Sequence, residues 1–113
     1  MSTSLSEPEF ERLADEELRR LVEALDEASD EMEADLQMGV LSILFEDGTK
    51  YVVNSHRAAR QIWMAADKRA WHFDYDGERW VAAASGDELR STLGAVLGRK
   101  LGAPVSFERS SSA

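Results

Sequence analysis

The stretch Leu21–Gln37, LVEALDEASDEMEADLQ, changes its hydrophobic period near its middle, and that change decides the fold. Up to about Ser29 the apolar residues recur every three or four positions, which is typical of an amphipathic helix. From Glu31 onward apolar and acidic residues alternate, which predicts a strand with its acidic side in solvent. We therefore predict a helix that is followed directly by an edge strand.

The predicted first helix extends back towards the N-terminus. Ser6 or Glu7 is expected to begin it, because Pro8 follows them and proline is favoured at the first helical position. Glu17 falls inside the apolar stripe, and we expect its carboxylate to reach solvent at the edge. The stripe comprises Phe10, Leu13, Ala14, Leu21, Ala24, Leu25 and Ala28, with Leu18 at its margin.

The rest of the chain predicts five more strands and a second helix. The strands are expected at 40–45, 49–54, 60–65, 71–75 and 78–83, with a loop at 55–59 and tight turns at Asp47-Gly48 and Asp76-Gly77. Ser85 and Glu88 match a capping box, which predicts a helix that ends between Gly98 and Gly102. The apolar stripe of this helix comprises Leu89, Leu93, Val96 and Leu97, and Val105 and Phe107 are expected to anchor the tail beyond it.

These elements predict an α+β fold, a two-layer α-β(6)-α sandwich with two helices packed on one face of an antiparallel sheet. We predict a single domain over residues 1–113, with a core at about 8–107 and flexible ends at 1–7 and 108–113. The opposite face of the sheet should be exposed, because two one-sided helices cover only one face. The residues expected to turn inward are Met32, Ala34, Leu36, Met38, Leu41, Ile43, Phe45, Tyr51, Val53, Ile62, Met64, Trp71, Phe73 and Trp80.

The net charge of −9 is concentrated in the first third of the chain. Residues 7–35 contain thirteen acids and three arginines, whereas residues 36–113 are almost neutral. Such a field repels phosphate backbones and anionic lipids, so we expect neither a nucleic acid nor a membrane as partner. The chain has no cysteine, which excludes thiolate catalysis and thiolate-held metals. The N-terminal residues lack the basic and apolar regions of a secretion signal, so we expect a cytoplasmic protein.

Seven carboxylates without a neighbouring base form what we call the acidic ridge. Like charges at helical spacing destabilise a helix by about 0.2–0.5 kcal/mol per pair, so a chain that keeps them is expected to use them. A metal cation, a basic protein surface and solubility alone are the alternatives, and acids on an edge strand also discourage edge-to-edge pairing. Carboxylates suit hard cations, and an exposed ridge should hold several of them weakly. The acidic ridge comprises Glu23, Asp26, Glu27, Asp30, Glu31, Glu33 and Asp35.

The layout resembles the frataxin family, and within it the bacterial CyaY-like branch, over about residues 9–101. The resemblance rests on the segment from Gly39 to Gly48, the spacing Asn54…Gln61-Ile-Trp63, the motif His72-Phe-Asp74, and Gly77…Trp80 followed by Ser85-Gly86. His56 departs from the family pattern, in which many members carry glutamine there, and Ala58 stands where proline is common. The family resemblance implies the same two-layer sandwich.

The resemblance also implies a function, which is that of an iron-binding adaptor and regulator of iron–sulfur cluster assembly. The implied partners are the cysteine desulfurase and the scaffold protein, and the implied cargo is Fe²⁺ or Fe³⁺, weakly bound and replaceable by other divalent cations. A bacterial cytoplasmic monomer is expected, with metal-dependent oligomers as an alternative. If Asn54 points outward, the family pattern places a partner-binding surface on the exposed sheet face, which we call the outward cluster. It comprises Asn54, His56, Gln61, Trp63 and His72.

Two other functions are alternatives to this one. An iron-storage protein or ferroxidase would need a di-iron centre, usually built from Glu-x-x-His pairs, and the sequence contains no such motif, so no enzymatic activity is expected. An acidic interaction domain that binds a basic partner without metal is the other alternative. His56 and His72 match no catalytic arrangement and are expected to be polar surface groups, with metal binding as their alternative role.

Overall fold

A computed structural model describes residues 6–28, 31–102, 105 and 107. Of the predicted flexible ends, 1–7 and 108–113, residues 1–5 and 108–113 lie outside the described residues, whereas Ser6 and Glu7 lie at the start of the first helix. Helix α1 spans Glu7–Ala28. Ser6 caps it reciprocally with Glu9: the Glu9 amide donates to Ser6 Oγ at 3.2 Å, and the Ser6 amide donates to Glu9 Oε1 at 3.4 Å. Pro8 therefore occupies the second helical position, one later than predicted.

Six strands follow α1 and form one antiparallel sheet in sequence order. They are β1 (Met32–Gln37), β2 (Val40–Phe45), β3 (Lys50–His56), β4 (Gln61–Ala66), β5 (Arg69–Tyr75) and β6 (Trp80–Val81). The predicted order is confirmed, but several boundaries differ, including the start of β5, which lies at Arg69 instead of Trp71. Strand β3 runs on to His56, because His56 pairs with Gln61 of β4, whereas the sequence placed His56 in a loop. Strand β6 has only two residues instead of six.

The turn between β1 and β2 corrects one prediction for the core. Met38 was expected to point inward as a continuation of β1, but it is 100% exposed. Gln37 pairs with Val40, so Met38 and Gly39 remain as a two-residue turn, and both have positive φ values, 51° and 79°. A Cβ atom at Gly39 would lie 2.6 Å from Ser55 Oγ, so a side chain here would also displace the Ser55 hydroxyl.

Helix α2 spans Leu89–Leu101 and begins later than predicted. Ser85 does not cap it, because the Ser85 hydroxyl donates to Asp87 Oδ2 at 3.0 Å, and Asp87 also accepts from Trp71 Nε1. Glu88 is the cap instead, and its carboxylate accepts from the amides of Arg90 and Ser91 at 3.1 Å each. The predicted end is confirmed, with Gly102 in the left-handed conformation after the last residue.

The two helices and one face of the sheet enclose the hydrophobic core. All the aromatic and large aliphatic residues predicted to turn inward from β2 to β6 are buried, as is Phe107 of the tail. Leu18 was placed at the margin of the α1 stripe, but it is fully buried, and Ala28 at the helix end is exposed. Neither helix in the described part of the chain is long and apolar enough to cross a bilayer.

The expectation for Glu17 was wrong, because its carboxylate is buried in an ion pair between the helices. Arg90 of α2 donates to it twice, from Nε to Oε2 at 2.8 Å and from Nη2 to Oε1 at 2.7 Å. The side chains are 9% exposed for Glu17 and 22% exposed for Arg90. The Glu17 carboxylate raises the pKa of Arg90 further above its usual value.

A second ion pair ties the end of α2 to the turn between β2 and β3. Lys100 Nζ donates to Asp47 Oδ2 at 2.6 Å and to Thr49 Oγ1 at 3.0 Å. The hydrogen bonds from Lys100 and Thr49 hold the pKa of the Asp47 carboxyl well below its usual range. Both helices are thus attached to the sheet or to each other by charged contacts as well as by the core.

Candidate functional site

The outward cluster lies on adjacent strands of the sheet face that the helices leave uncovered. Asn54 of β3 pairs with Trp63 of β4, and Trp63 pairs with His72 of β5, so the three residues form one row across the sheet. His56 pairs with Gln61 one step further along β3 and β4. The family resemblance placed Asn54, Gln61, Trp63 and His72 on this face, and their positions confirm it. His56, which the sequence placed in a loop, joins them at the end of β3. The binding role of the five residues stays a prediction.

Trp63 is sandwiched between two imidazole rings. The His56 ring lies 3.9 Å from the Trp63 ring between centroids, with the planes 11° apart. The His72 ring covers the opposite side at 4.3 Å, with the planes 15° apart. The family resemblance placed Trp63 and His72 on one face but did not predict the stack, because stacking depends on side-chain rotamers. The indole is therefore only partly exposed.

A chain of hydrogen bonds fixes the Trp63 indole in its plane. Trp63 Nε1 donates to Gln61 Oε1 at 2.8 Å, and Gln61 Nε2 donates to Asp74 Oδ1 at 3.1 Å. Asp74 thus belongs to the same site, and the sequence prediction missed it. The signal was present, because Asp74 stands two positions after His72 and must share its face of β5.

Apolar and small side chains surround the outward cluster. Val40 and Leu44 on β2 are 40% and 43% exposed, which is unusual for large hydrophobic residues in this protein. Ser42, Val52, Ala65 and Ala70 form a row of small side chains beside the Asn54–Trp63–His72 row. This part of the sheet is therefore open and shallow, which suits contact with another protein surface better than enclosure of a small molecule.

The acidic ridge is divided between two elements that pack together at the β1 edge. Glu23, Asp26 and Glu27 are exposed on α1, and Glu33 and Asp35 are exposed on β1. Glu31 is exposed in the turn that precedes β1, and Asp30 lies outside the described residues. Because Glu33 and Asp35 alternate with the inward residues of β1, they lie on the same outward face of the sheet as Trp63.

The carboxylates of the ridge are not arranged as a preformed metal centre. Within residues 6–28 and 31–102, no group of three or more histidine, aspartate or glutamate side chains is placed to hold one ion. The ridge presents exposed carboxylates on two elements, so its negative charge is spread along the β1 edge and is not focused on one point.

The cavity between the helices is separate from both surfaces. It has a volume of about 490 Å³, and the buried pair of Glu17 and Arg90 lies in its wall together with Trp80 and Phe107. No residue of the acidic ridge or of the outward cluster lines it. The candidate site is thus a pair of open surfaces, and the cavity is a feature of helix packing.

Comparison with known proteins identifies the family. A family model described as a frataxin-like domain matches residues 3–103. An iron–sulfur cluster assembly protein CyaY from Cupriavidus taiwanensis is 37% identical over 107 residues, which are 91% of this chain and 96% of that protein. The protein of the same name from Cupriavidus pinatubonensis is 40% identical over 100 residues, which are 85% and 90% of the two chains. The solved frataxin of Psychromonas ingrahamii has a TM-score of 0.86 at 28% identity and covers 93% of this chain and 100% of its own. The resemblance drawn from the sequence is confirmed, and the chain belongs to the frataxin-like family.

Proposed function

We propose that this protein is an iron-binding adaptor of iron–sulfur cluster assembly, without enzymatic activity. The observation that carries the proposal is the match to relatives named iron–sulfur cluster assembly protein CyaY, at 37% and 40% identity over nearly their whole length. The adaptor contacts the cysteine desulfurase and its scaffold protein and binds iron weakly. Its two working surfaces are the acidic ridge and the outward cluster.

In this proposal the acidic ridge serves both iron and a basic partner. Exposed carboxylates at high effective dielectric contribute only on the order of 1 kcal/mol each to binding a unit charge, so several ions bind and none binds tightly. The same charges attract a basic surface of the desulfurase and raise its rate of association. Iron and desulfurase therefore compete for the same carboxylates, which makes the contact sensitive to iron.

The outward cluster supplies the second contact of the proposed adaptor. An aromatic residue held in the centre of an open face, with polar groups around it, has the composition of a binding hot spot. The hydrogen bonds from Trp63 to Gln61 and from Gln61 to Asp74 keep the cluster in one arrangement before a partner arrives. Such preorganisation reduces the entropic cost of association.

A titration with Fe²⁺ in the absence of oxygen, followed by amide-proton chemical shifts, tests the iron-binding part. Shifts confined to residues 23–35 are expected, and they should be reduced in a Glu27→Gln/Glu33→Gln variant, which keeps the side-chain shapes and removes two charges. Arg57 forms an ion pair with Glu11 away from the ridge, so Glu11→Gln is the matched control and should bind iron like the wild type.

Binding of the purified desulfurase, with and without saturating Fe²⁺, tests the adaptor part. Weaker binding in the presence of iron is expected if both use the ridge. Desulfurase binding that persists while Fe²⁺ causes no shifts would favour the second candidate, an acidic interaction domain without metal. Absence of desulfurase and scaffold binding under all conditions would contradict the proposed function.

A further inference from the structure

The turn between β1 and β2 carries the most exposed large apolar side chain in the described part of the chain. Met38 is 100% exposed, whereas Val40 and Leu44, the other exposed large hydrophobic residues there, are 40% and 43% exposed. Burial of apolar surface is the main stabilising term of a fold, and the side chain of Met38 takes no part in it. Packing therefore gives no reason for a methionine at this position.

The backbone conformation of Met38 is also unfavourable for methionine. Its φ of 51° lies in the left-handed region, as does the φ of 79° at Gly39. Two-residue hairpin turns with positive φ at both positions favour Asn-Gly or Asp-Gly, because asparagine and aspartate tolerate this region better than long side chains do. Asparagine would thus suit the turn better in both respects. A methionine that is kept against both preferences points to a role for its thioether.

Methionine supplies all the sulfur of this protein, because the chain has four methionines and no cysteine. A methionine thioether is oxidised to a sulfoxide, and dedicated reductases reverse this oxidation. Met32 and Met64 are only 7% and 1% exposed and belong to the hydrophobic core, and Met1 lies outside the described residues. Among the three described methionines, an oxidant in solution therefore reaches only Met38 without an opening of the fold.

Met38 borders an open groove that leads from the outward cluster to the first turns of α1. The groove is lined by Met38 and Gly39 on one side, by Pro8 of α1, and by His56 and Arg57 at the end of β3 and in the following turn. The His56 ring also stacks on Trp63, so the groove and the outward cluster share a residue. A change in the polarity of the Met38 side chain therefore changes the surface beside the outward cluster.

We propose that Met38 is a site of reversible oxidation, at which a peroxide converts the thioether into a sulfoxide while the fold stays intact. The Met38 sulfur attacks one oxygen of hydrogen peroxide, the O–O bond breaks, an S–O bond forms, and the second oxygen leaves as water. The sulfur loses two electrons and the peroxide gains them. In the reverse reaction two thiols of a methionine sulfoxide reductase form a disulfide, and the sulfoxide oxygen leaves as water. Neither reaction requires iron or a partner protein, so the site goes beyond the proposed function.

Oxidation of Met38 changes the surface of the domain and leaves its interior unchanged. The new oxygen is added to a side chain that already lies in water, so it displaces no neighbouring group. At Met32 or Met64 the same polar oxygen would have to fit among closely packed apolar side chains and would disrupt the core. The exposed methionine is thus the one of the three that can pass through repeated cycles of oxidation and reduction in the folded state.

Peptide mapping by mass spectrometry, after treatment of the intact protein with hydrogen peroxide, tests the selectivity of the site. The sulfoxide of Met38 should form at least about ten times faster than those of Met32 and Met64, whose sulfur reacts only in molecules that have opened. In concentrated urea the three rates should become similar, because all three thioethers are then exposed. Met1 is quantified in its own peptide and does not enter the comparison. Equal rates for Met38 and the two buried methionines in the folded protein would overturn the inference.

Thermal unfolding and reduction of the singly oxidised protein test whether the modification is benign and reversible. The oxidised protein should have the same Tm as the reduced one, and its amide-proton shifts should be confined to the turn and the groove. The two reductases that act on the two sulfoxide epimers, with dithiothreitol, should restore the original mass. Met38→Leu, which keeps an apolar side chain of similar size, is the control and should have an unchanged Tm before and after brief peroxide treatment. A lower Tm of the oxidised wild type alone, or a sulfoxide that both reductases leave intact, would overturn the inference.

Discussion

Removal of the Glu17 carboxylate should destabilise this fold more than the loss of any single exposed charge. Glu17→Ala leaves Arg90, whose side chain is 22% exposed, without the two hydrogen bonds of 2.7 and 2.8 Å that it donates in the native structure. Removing one partner of a fully buried ion pair costs roughly 3–5 kcal/mol, because the other charge stays buried and unpaired. Arg90 can regain some water at the rim, so we expect a loss of about 2–4 kcal/mol in the free energy of unfolding.

The assay is urea unfolding followed by circular dichroism, with the slope of the transition used to confirm two-state behaviour. A loss of this size corresponds to a drop in Tm of roughly 10–20 °C for a domain of this length. Asp15→Ala is the matched control on the same helix, because it removes an ion pair with Arg19 whose side chains are 53% and 68% exposed. That control should cost no more than about 0.5 kcal/mol.

Two results would refute the reasoning about this ion pair. The first is a loss of less than about 1 kcal/mol in Glu17→Ala, or a loss equal to that of the control. The second concerns Glu17→Leu/Arg90→Leu, which removes both charges and fills the space with apolar groups. Replacing a buried pair in this way is often close to neutral, so the double variant should be more stable than Glu17→Ala, and equal destabilisation would contradict the account.

Three other predictions follow from contacts described above. Gly94→Ala should lower the free energy of unfolding by about 1–3 kcal/mol in urea titrations, because the new Cβ would lie 2.6 Å from the Val105 carbonyl oxygen. Helix propensity alone predicts the opposite, a stabilisation. A measured stabilisation would therefore contradict the packing of Val105 against α2. The Asp47 carboxyl has a lower pKa in the folded than in the unfolded state, so its ionised form stabilises the folded state. This stabilisation is complete above the unfolded pKa of about 4 and is lost as the pH falls towards the folded pKa. Asp47→Asn should therefore lose less stability than the wild type between pH 5 and pH 2.5 in the same titrations, and parallel losses would disprove this linkage. Trp63→Ala should unfold cooperatively yet bind the desulfurase–scaffold complex at least ~2 kcal/mol more weakly in calorimetry, whereas a collapse of Tm would assign Trp63 to the core.

Hydrophobic patterns in the sequence predicted the helices and strands well, because the period of a pattern depends only on residues that are close together in the chain. The change of period after Ser29 located α1 and β1, and alternation in β3, β4 and β5 separated the inward from the outward side chains. The predictions failed where a distant residue decided the outcome. Glu17 is paired with Arg90, which lies 73 positions further along the chain, so its burial left no sign in the local pattern beyond an acid in an apolar stripe.

The capping box at Ser85 failed for a related reason. Asp87 accepts a hydrogen bond from the Ser85 hydroxyl and another from Trp71 Nε1 of β5, the second at 3.2 Å. This contact with β5 competes with the capping box, and Glu88 becomes the cap instead. The candidate site shows the same limit. The family resemblance placed Trp63 and His72 on one face, but the extension of β3 to His56, the stack and the link to Asp74 depend on contacts that only the packed sheet defines.

The sequential order of the six strands has a consequence for the path by which the chain folds. Every pairing in the sheet joins strands that are neighbours in sequence through short turns, so each hairpin closes at a small cost in loop entropy. The contact between α1 and α2 is different, because Glu17 and Arg90 enclose the whole sheet between them in sequence. The contact between α1 and α2 therefore closes a longer loop than any strand pairing does, and the core cannot be completed until α2 has been synthesised.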